Sequence, residues 1–214
     1  MSVRSWSYPV VLSLVAVFGA LVAPQAQAAG DAVRGKTLGY TCLGCHGVEN
    51  YKNVYPTYSV PKLSGQHPEY IVQALKGYKS GERGHATMHA QASSMSDQDM
   101  DDVAVYLAGK PVTAVAGSTP VGEVPAPVAT CQACHGRDGI GIMGMYPTLS
   151  GQNADYIERA LGEYRSGGRR NGIMGPFAMQ LKEADIKAVA EYFSHQKPAL
   201  KTVSRPTSRF SAKQ

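Results

Sequence analysis

Cys42-Leu43-Gly44-Cys45-His46 and Cys131-Gln132-Ala133-Cys134-His135 share the pattern C-x-x-C-H, and together they contain all four cysteines of the chain. This pattern is typical of c-type haem attachment. On a helix, residues i, i+3 and i+4 lie on one face, so two thiols can bond a porphyrin edge while the imidazole reaches the iron. The sequence therefore predicts two covalently attached haem c groups, held through Cys42, Cys45, Cys131 and Cys134, with His46 and His135 as axial iron ligands.

Two other uses of four cysteines explain less of this pattern. Exported proteins commonly contain disulfides, and four thiolates can bind one zinc ion. Neither use requires a histidine directly after the second cysteine, yet that histidine occurs in both stretches. A zinc site would also require two stretches 89 residues apart to converge.

The first 28 residues have the pattern of a targeting segment. Arg4 supplies a positive charge, residues 10–23 are almost entirely apolar, and Ala26-Gln27-Ala28 fits a small-x-small cleavage site. The apolar run is short for a membrane span. The pattern favours a cleaved signal peptide at residues 1–28, and hence a periplasmic protein, over a retained N-terminal anchor.

The positive charge of the chain is concentrated near its C-terminus. The formal charge is +5, but four basic residues lie in the last fourteen: Lys201, Arg205, Arg209 and Lys213. The remainder is close to neutral, which argues against nucleic-acid binding. We expect residues 198–214 to form a basic, disordered tail, a candidate for peripheral membrane association.

The chain contains an internal repeat. His46 and His135 are 89 residues apart, whereas Leu63-Ser64-Gly65-Gln66 and Leu149-Ser150-Gly151-Gln152 are 86 apart. The offset of 86 continues through further pairs: Tyr70 and Tyr156, Tyr78 and Tyr164, Arg83 and Arg169, and Asp99 and Asp185. The chain is therefore two copies of one haem-binding unit, and the loop after the first motif is three residues longer than the loop after the second.

Both units are predicted to be helical. Pro68 suits a helix start and Gly81 a helix end, and a matching helix is expected at residues 154–166. Ser96 is a good N-cap for the last helix of unit one. No stretch shows sustained alternation of apolar and polar residues, so we predict an all-α fold with almost no sheet.

The predicted organisation is a signal peptide (1–28), a first haem domain (29–109), a linker (110–129), a second haem domain (130–197) and the tail (198–214). The linker contains four prolines, so the stretch before Cys131 cannot form a helix like the one expected before Cys42. The final helix of unit two should therefore lack a helical partner, and we expect the linker or unit one to cover its exposed face.

The second axial ligand must come from elsewhere in each unit. Among the histidines and methionines near the first motif, only Met88 has a matched counterpart of the same type, Met174. Both are expected in a glycine-containing loop before the last helix. Met88 and Met174 are therefore the predicted sixth ligands, and histidine–methionine ligation raises the reduction potential relative to two histidines. His85 and His89, which bracket Met88, remain the alternative ligands.

Two further groups of residues have two interpretations each. Pro61 and Pro147 precede the matched leucines by two residues, so each either forms a turn or offers a carbonyl to the N–H of an axial histidine. Several basic residues of unit one are interpreted as a solvated face, with the alternative of steering an acidic partner: Lys62, Lys76, Lys79 and Arg83.

The combined motifs resemble the diheme cytochrome c4 family over most of residues 30–197. They are Pro61-Lys62-Leu63-Ser64-Gly65-Gln66 with Ser96-Asp97-Gln98-Asp99, and Pro147-Thr148-Leu149-Ser150-Gly151-Gln152 in unit two. The resemblance implies two tandem class I cytochrome c domains with facing haems, histidine–methionine ligation and a periplasmic electron-carrier role toward terminal oxidases. Lys182 in place of a serine N-cap and the proline-rich entry to unit two depart from the family pattern.

We therefore expect an electron-transfer protein and not an enzyme, carrying single electrons between respiratory-chain partners. The expected donor is a quinol-oxidising complex or a dehydrogenase, and the expected acceptor is a terminal oxidase. One alternative is the cytochrome subunit of a periplasmic dehydrogenase complex. Another is a diheme peroxidase, which requires one iron with a vacant or displaceable position.

Overall fold

The structure, a computed structural model, describes residues 30–115 and 118–205, and in this part of the chain the regular elements are helices. Unit one contains α1 (Ala32–Leu38), α2 (Leu43–His46), α3 (Pro68–Ser80), α4 (Ala86–Ser93) and α5 (Asp97–Ala108). Unit two contains a 3₁₀ helix (Ala126–Val128), α6 (Gln132–His135), α7 (Ala154–Ser166), α8 (Met174–Met179) and α9 (Glu183–Ser194). The described residues form isolated β-bridges but no strand, so the predicted all-α fold is confirmed.

Both ends of α3 and the start of α5 lie where the sequence predicted them. Gly81 ends α3 in the left-handed conformation, with φ of 77°. Ser96 caps α5: its Oγ accepts from the Asp99 N–H at 3.2 Å, and its own N–H donates to the Asp99 carboxylate at 2.8 Å. Helix α1 packs on α5, and a Cβ at Gly35 would overlap the Asp102 carbonyl, so this close approach requires glycine.

Unit two has no counterpart of α1, and the linker takes its place against the last helix. The 3₁₀ helix packs on α9, and Val128 is fully buried in the core of unit two. The Gln196 side chain accepts from the Val121 N–H at 2.8 Å and donates to the Val121 carbonyl at 3.1 Å. The linker therefore covers the face of α9 that has no helical partner in unit two, as expected.

The two methionine segments differ from the predicted loops, because each forms a short helix. Met88 lies in the alanine-rich α4, and Met174 is the first residue of α8. His85 Nδ1 accepts a hydrogen bond from the Met88 N–H at 3.3 Å, and Asn171 Oδ1 accepts one from the Met174 N–H at 2.9 Å. His85 and Asn171 are matched in the repeat, but their side chains are of different types, and only histidine is a common metal ligand. What they share is the hydrogen bond that each accepts from the methionine N–H, which caps the turn that carries the methionine.

The expectation of a disordered tail from residue 198 is wrong for residues 198–205, which form an ordered strap across both units; residues 206–214 lie outside the described part. The strap binds the two matched serines: Leu200 N–H donates to the Ser150 carbonyl at 3.1 Å, and Lys201 exchanges two main-chain hydrogen bonds with Ser64. Leu200 and Val203 are buried, whereas Lys201 points to solvent. The polar composition of these residues gave no indication of the strap, because its contacts are made by the backbone and by the apolar side chains of Leu200 and Val203.

The two units pack about an approximate two-fold axis. Arg83 forms an antiparallel bridge with Arg169, its own counterpart in the repeat. Main-chain hydrogen bonds flank this bridge, from Gly84 N–H to the Gly168 carbonyl at 2.9 Å and from Arg170 N–H to the Glu82 carbonyl at 2.7 Å. A residue can pair with its own copy in this way only where the axis passes between them.

Replacing Leu200 by alanine should destabilise the holoprotein by about 2–5 kcal/mol, because it leaves a cavity beneath the strap. Guanidinium chloride denaturation, followed by circular dichroism, measures this change. The exposed neighbour supplies the control: Lys201→Ala keeps the main-chain bonds and should change stability by less than about 0.5 kcal/mol. Equal stability of Leu200→Ala and the unaltered protein would mean that the strap is not held in solution.

Candidate haem sites and the interface between them

The histidine of each C-x-x-C-H motif is held by one ring nitrogen. His46 ends α2 with Nδ1 2.9 Å from the Pro61 carbonyl oxygen, and His135 ends α6 with Nδ1 2.8 Å from the Pro147 carbonyl oxygen. Burial lowers the pKa of both imidazoles and outweighs the opposing effect of the carbonyl. A neutral ring that donates from Nδ1 has its lone pair on Nε2, which is the state that an axial iron ligand requires.

Each histidine lines a cavity together with the two cysteines and the matched methionine of its unit. The cavities measure about 1200 Å³ in unit one and 1140 Å³ in unit two, including their open mouths. The unit-one lining includes Cys42, Cys45, His46, Met88, Leu63, Leu75 and Val103, and the unit-two lining includes Cys131, Cys134, His135, Met174, Leu149, Leu161 and Val189.

The four cysteines are free thiols and form no disulfide with one another. Burial raises the pKa of the Cys42 and Cys131 thiols. Of the two alternative ligands, His85 lines the unit-one cavity with its Nδ1 occupied by the Met88 N–H. His89 is exposed, with its Nδ1 2.8 Å from the Tyr78 carbonyl oxygen, and it does not line that cavity.

The interpretation of Arg83 as part of a solvated face is wrong, because Arg83 and its counterpart Arg169 are only 8% and 5% exposed. Arg83 Nη2 donates to the Tyr70 hydroxyl at 2.9 Å, and Arg169 lies over the rings of Tyr156 and Tyr164. Burial alone would raise the pKa of the Tyr70 hydroxyl, but the positive charges of the two arginines outweigh this and lower it. The shared offset of 86 was the signal that these arginines are not ordinary surface residues.

Four residues of this interface line both cavities at once: Tyr70, Arg83, Tyr156 and Arg169. The Nε atom of Arg169 is buried and has no hydrogen-bond partner among the described residues. A buried guanidinium that faces a cavity suits a carboxylate. Haem c carries two propionates, so the thiols, the apolar linings and the paired arginines all fit this group.

A buried carboxylate breaks the symmetry of the interface. Glu163 corresponds to Gly77 in unit one, so only one copy of the repeat carries this charge. Glu163 accepts from Arg159 Nε at 2.7 Å and lies 3.3 Å from Arg169 Nη2. It lines the unit-one cavity but not the unit-two cavity. The two haem sites therefore differ in their electrostatic surroundings, although their apolar linings are alike.

Comparisons with known proteins agree with this two-unit architecture. The family model for cytochrome c matches residues 32–110 and again residues 126–197. The chain is 32% identical to a cytochrome c4 of Pseudomonas aeruginosa, over 78% of this chain and 89% of that protein. It is also 32% identical to a thiosulfate dehydrogenase electron acceptor of Stutzerimonas stutzeri, over 85% of this chain and 93% of that protein.

A solved structure shares the arrangement of both units. The reduced recombinant cytochrome c4 of Pseudomonas stutzeri superimposes with a TM-score of 0.61 at 28% sequence identity. The match covers 79% of this chain and 100% of that one. The similarity in structure therefore spans the whole length of that cytochrome c4.

Replacing Glu163 by glutamine should raise the reduction potential of the unit-one haem more than that of the unit-two haem. A buried negative charge stabilises the ferric state, which carries one more positive charge than the ferrous state. Spectroelectrochemical titration of the holoprotein measures both potentials. Glu191→Gln removes an exposed carboxylate from α9 and should leave both almost unchanged. Identical titrations of Glu163→Gln and the unaltered protein would contradict the expected influence of Glu163.

Proposed function

Since the chain belongs to the cytochrome c family, and within it to the diheme cytochrome c4 proteins, it is an electron-carrying cytochrome with two haem c groups, and we propose that each haem is ligated by one histidine and one methionine. The proposed ligands are His46 with Met88 and His135 with Met174. The proposed thioether bonds are to Cys42 and Cys45, and to Cys131 and Cys134. With both axial positions filled, the protein exchanges electrons without binding a substrate at the metal.

One observation supports this ligand set above all. In each unit, the matched methionine lines the same cavity as the motif histidine and both motif cysteines. Met88 and Met174 are also partly buried against the cores of their units, so their side chains are held and shielded from water. A thioether is a good ligand for low-spin iron, and histidine–methionine pairs give relatively high potentials.

Each residue type has a distinct task in this proposal. Haem c, when bound, supplies one-electron chemistry between ferrous and ferric iron. Pro61 and Pro147 hold the Nδ1–H of the histidines, which fixes the ring orientation and raises ligand basicity. Arg83 and Arg169 provide positive charge where the two cavities meet. The shared lining brings the two sites close enough for residues of one unit to line the cavity of the other.

We further propose the domain limits 29–109 and 130–197, joined by the linker at 110–129. The ranges matched by the family model support them, since they begin and end within four residues of these limits. The strap at 198–205 then belongs structurally to both domains, because it contacts the matched serine of each.

A periplasmic location is part of the proposal. Its support is the targeting pattern of residues 1–28, which lie outside the described residues, and the oxidising, exported setting that suits C-x-x-C-H cytochromes. In the part of the chain that the structure describes, no helix has the length and apolarity needed to cross a membrane. The basic residues near the C-terminus remain the candidate contact with a membrane surface.

The proposed donor is a quinol-oxidising complex or a dehydrogenase, and the proposed acceptor is a terminal oxidase. The similarity to a thiosulfate dehydrogenase electron acceptor favours a dehydrogenase as a specific donor. Stopped-flow mixing of the oxidised holoprotein with a thiosulfate dehydrogenase and thiosulfate should then give rapid haem reduction. Reduction by a quinol-oxidising complex alone would instead support the general carrier role, and copurification with a dehydrogenase would support a subunit role.

The Met88→Ala variant and the Met174→Ala variant should each lose half of the methionine-to-iron charge-transfer absorption of the oxidised holoprotein. The affected haem should also bind carbon monoxide after reduction, which the unaltered protein should not do, because one axial position is then open. Absorption spectroscopy measures both changes. Met143 is an exposed methionine, 55% accessible, so Met143→Ala serves as the control. Unchanged low-spin spectra in both ligand variants would refute the ligand assignment.

A further inference from the structure

Gln66 and Gln152 end the two matched L-S-G-Q stretches and are almost completely buried at the interface. Each reaches across to the other unit. Gln66 Oε1 accepts from the Thr148 N–H at 2.9 Å, and its Nε2 donates to the Thr148 carbonyl at 3.0 Å. Gln152 makes the same pair of bonds to Lys62, both at 3.0 Å. Lys62 and Thr148 are themselves matched in the repeat, so the two contacts are related by the approximate two-fold axis.

The peptide groups that these glutamines bind are the ones that hold the motif histidines. The Thr148 N–H belongs to the same peptide group as the Pro147 carbonyl, which lies 2.8 Å from His135 Nδ1. A continuous hydrogen-bonded chain therefore runs from His135 through this peptide group to Gln66 of the other unit. The mirror chain runs from His46, through the peptide group between Pro61 and Lys62, to Gln152.

We propose that Gln66 and Gln152 are positioning residues, each acting on the axial histidine of the opposite unit. The inference rests on the proposed function, because it takes His46 and His135 to be the iron ligands. Accepting a hydrogen bond from a peptide N–H polarises that peptide group and strengthens its carbonyl as an acceptor. A stronger acceptor at Nδ1–H makes the imidazole a more basic ligand and stabilises ferric iron. Each haem potential is thus set partly by the partner unit.

The residues directly before and after each glutamine help to orient its side-chain amide. Gly65 and Gly151 precede them with positive φ of 92° and 74°. This left-handed turn favours glycine and directs the following side chain across the interface. Each glutamine Oε1 also accepts the N–H of the next residue, at 3.1 Å for His67 and 3.0 Å for Asn153, so its amide cannot rotate freely. The amide is held in place before it contacts the other unit.

Other hydrogen bonds across the same interface end elsewhere and supply a matched control. His67 directly follows Gln66, and its Nε2 lies 3.1 Å from the Gly141 carbonyl oxygen of unit two. Replacing His67 by leucine removes a buried contact between the units that makes no hydrogen bond to the peptide group of Pro147 and Thr148. Gly141, which loses this contact, donates to the Thr148 side-chain hydroxyl and not to that peptide group. A role that only holds the two units together predicts similar effects of His67→Leu and Gln66→Leu.

The experiment compares Gln66→Leu, Gln152→Leu and His67→Leu with the unaltered holoprotein. Potentiometric titration gives both haem potentials, and NMR of the reduced, ¹⁵N-histidine-labelled protein reports the two axial Nδ1–H signals. Gln66→Leu should raise the potential of the haem on His135 and shift the His135 Nδ1–H signal, while the His46 site stays unchanged. Gln152→Leu should do the reverse, and His67→Leu should move neither signal.

Each potential is assigned in a background that carries Met174→His. Two histidine ligands lower the potential of the unit-two haem and separate the two waves. If one glutamine variant fails to load haem, the mirror variant tests the same crossed effect. Equal shifts at both haems, or a shift confined to the unit that carries the substitution, would overturn the proposal.

Failure of the inference and failure of the proposed function are distinguishable. If the unaltered protein lacks two low-spin histidine–methionine haems, the proposed ligation itself is wrong, and its spectrum alone shows this. If that spectrum is as expected but the crossed shifts are absent, only the role of the two glutamines is refuted.

Discussion

The hydrogen bond from Nδ1 of each motif histidine to a proline carbonyl is the contact on which the rest of the structure depends. A histidine that follows two haem-bearing cysteines has little freedom of position, but its ring can still rotate and exchange tautomers. The carbonyls of Pro61 and Pro147 remove that freedom. These carbonyls lie in extended loops, so they must be held in turn, and the L-S-G-Q turns, the strap and the opposite unit all contribute to holding them.

Because the unit is duplicated, matched residues hold the proline carbonyl in both units. The interface links these two sets of contacts. Gln66 supports the loop of unit two, and Gln152 supports the loop of unit one. Arg83 pairs with its own copy, Arg169, at the axis. The symmetry is incomplete at Glu163, which has no acidic counterpart in unit one and lines only the unit-one cavity.

The features that the sequence predicted correctly depend either on a few neighbouring residues or on the exact register of the repeat. Helix α5 begins at the Ser96 cap, and α3 and α7 end at Gly81 and Gly167, because capping depends on a few adjacent residues. Met88 and Met174 were predicted because they occupy the same position in the two copies of the repeat. The predicted loop around them was wrong, and so was the expectation of disorder for residues 198–205, since α4 gains from the His85 cap and the strap from backbone bonds with Ser64 and Ser150. The serines that bind the strap are far away in the sequence, and histidine is not among the residues that usually cap a helix.

The sequence by itself determined the cofactor chemistry, the duplication and the cysteines, histidine and methionine that line each cavity, because covalent attachment, helical periodicity and the register of the repeat can all be seen in the order of residues. Tertiary structure alone decided what each residue contacts across the interface. Arginine is usually a surface residue, yet packing of the second unit buries Arg83. Gln66 belongs to a local turn, yet its amide makes two hydrogen bonds to Thr148, 82 residues away, besides the one it accepts from the adjacent His67 N–H. Such long-range pairings follow from how two folded units fit together, and no local pattern encodes them.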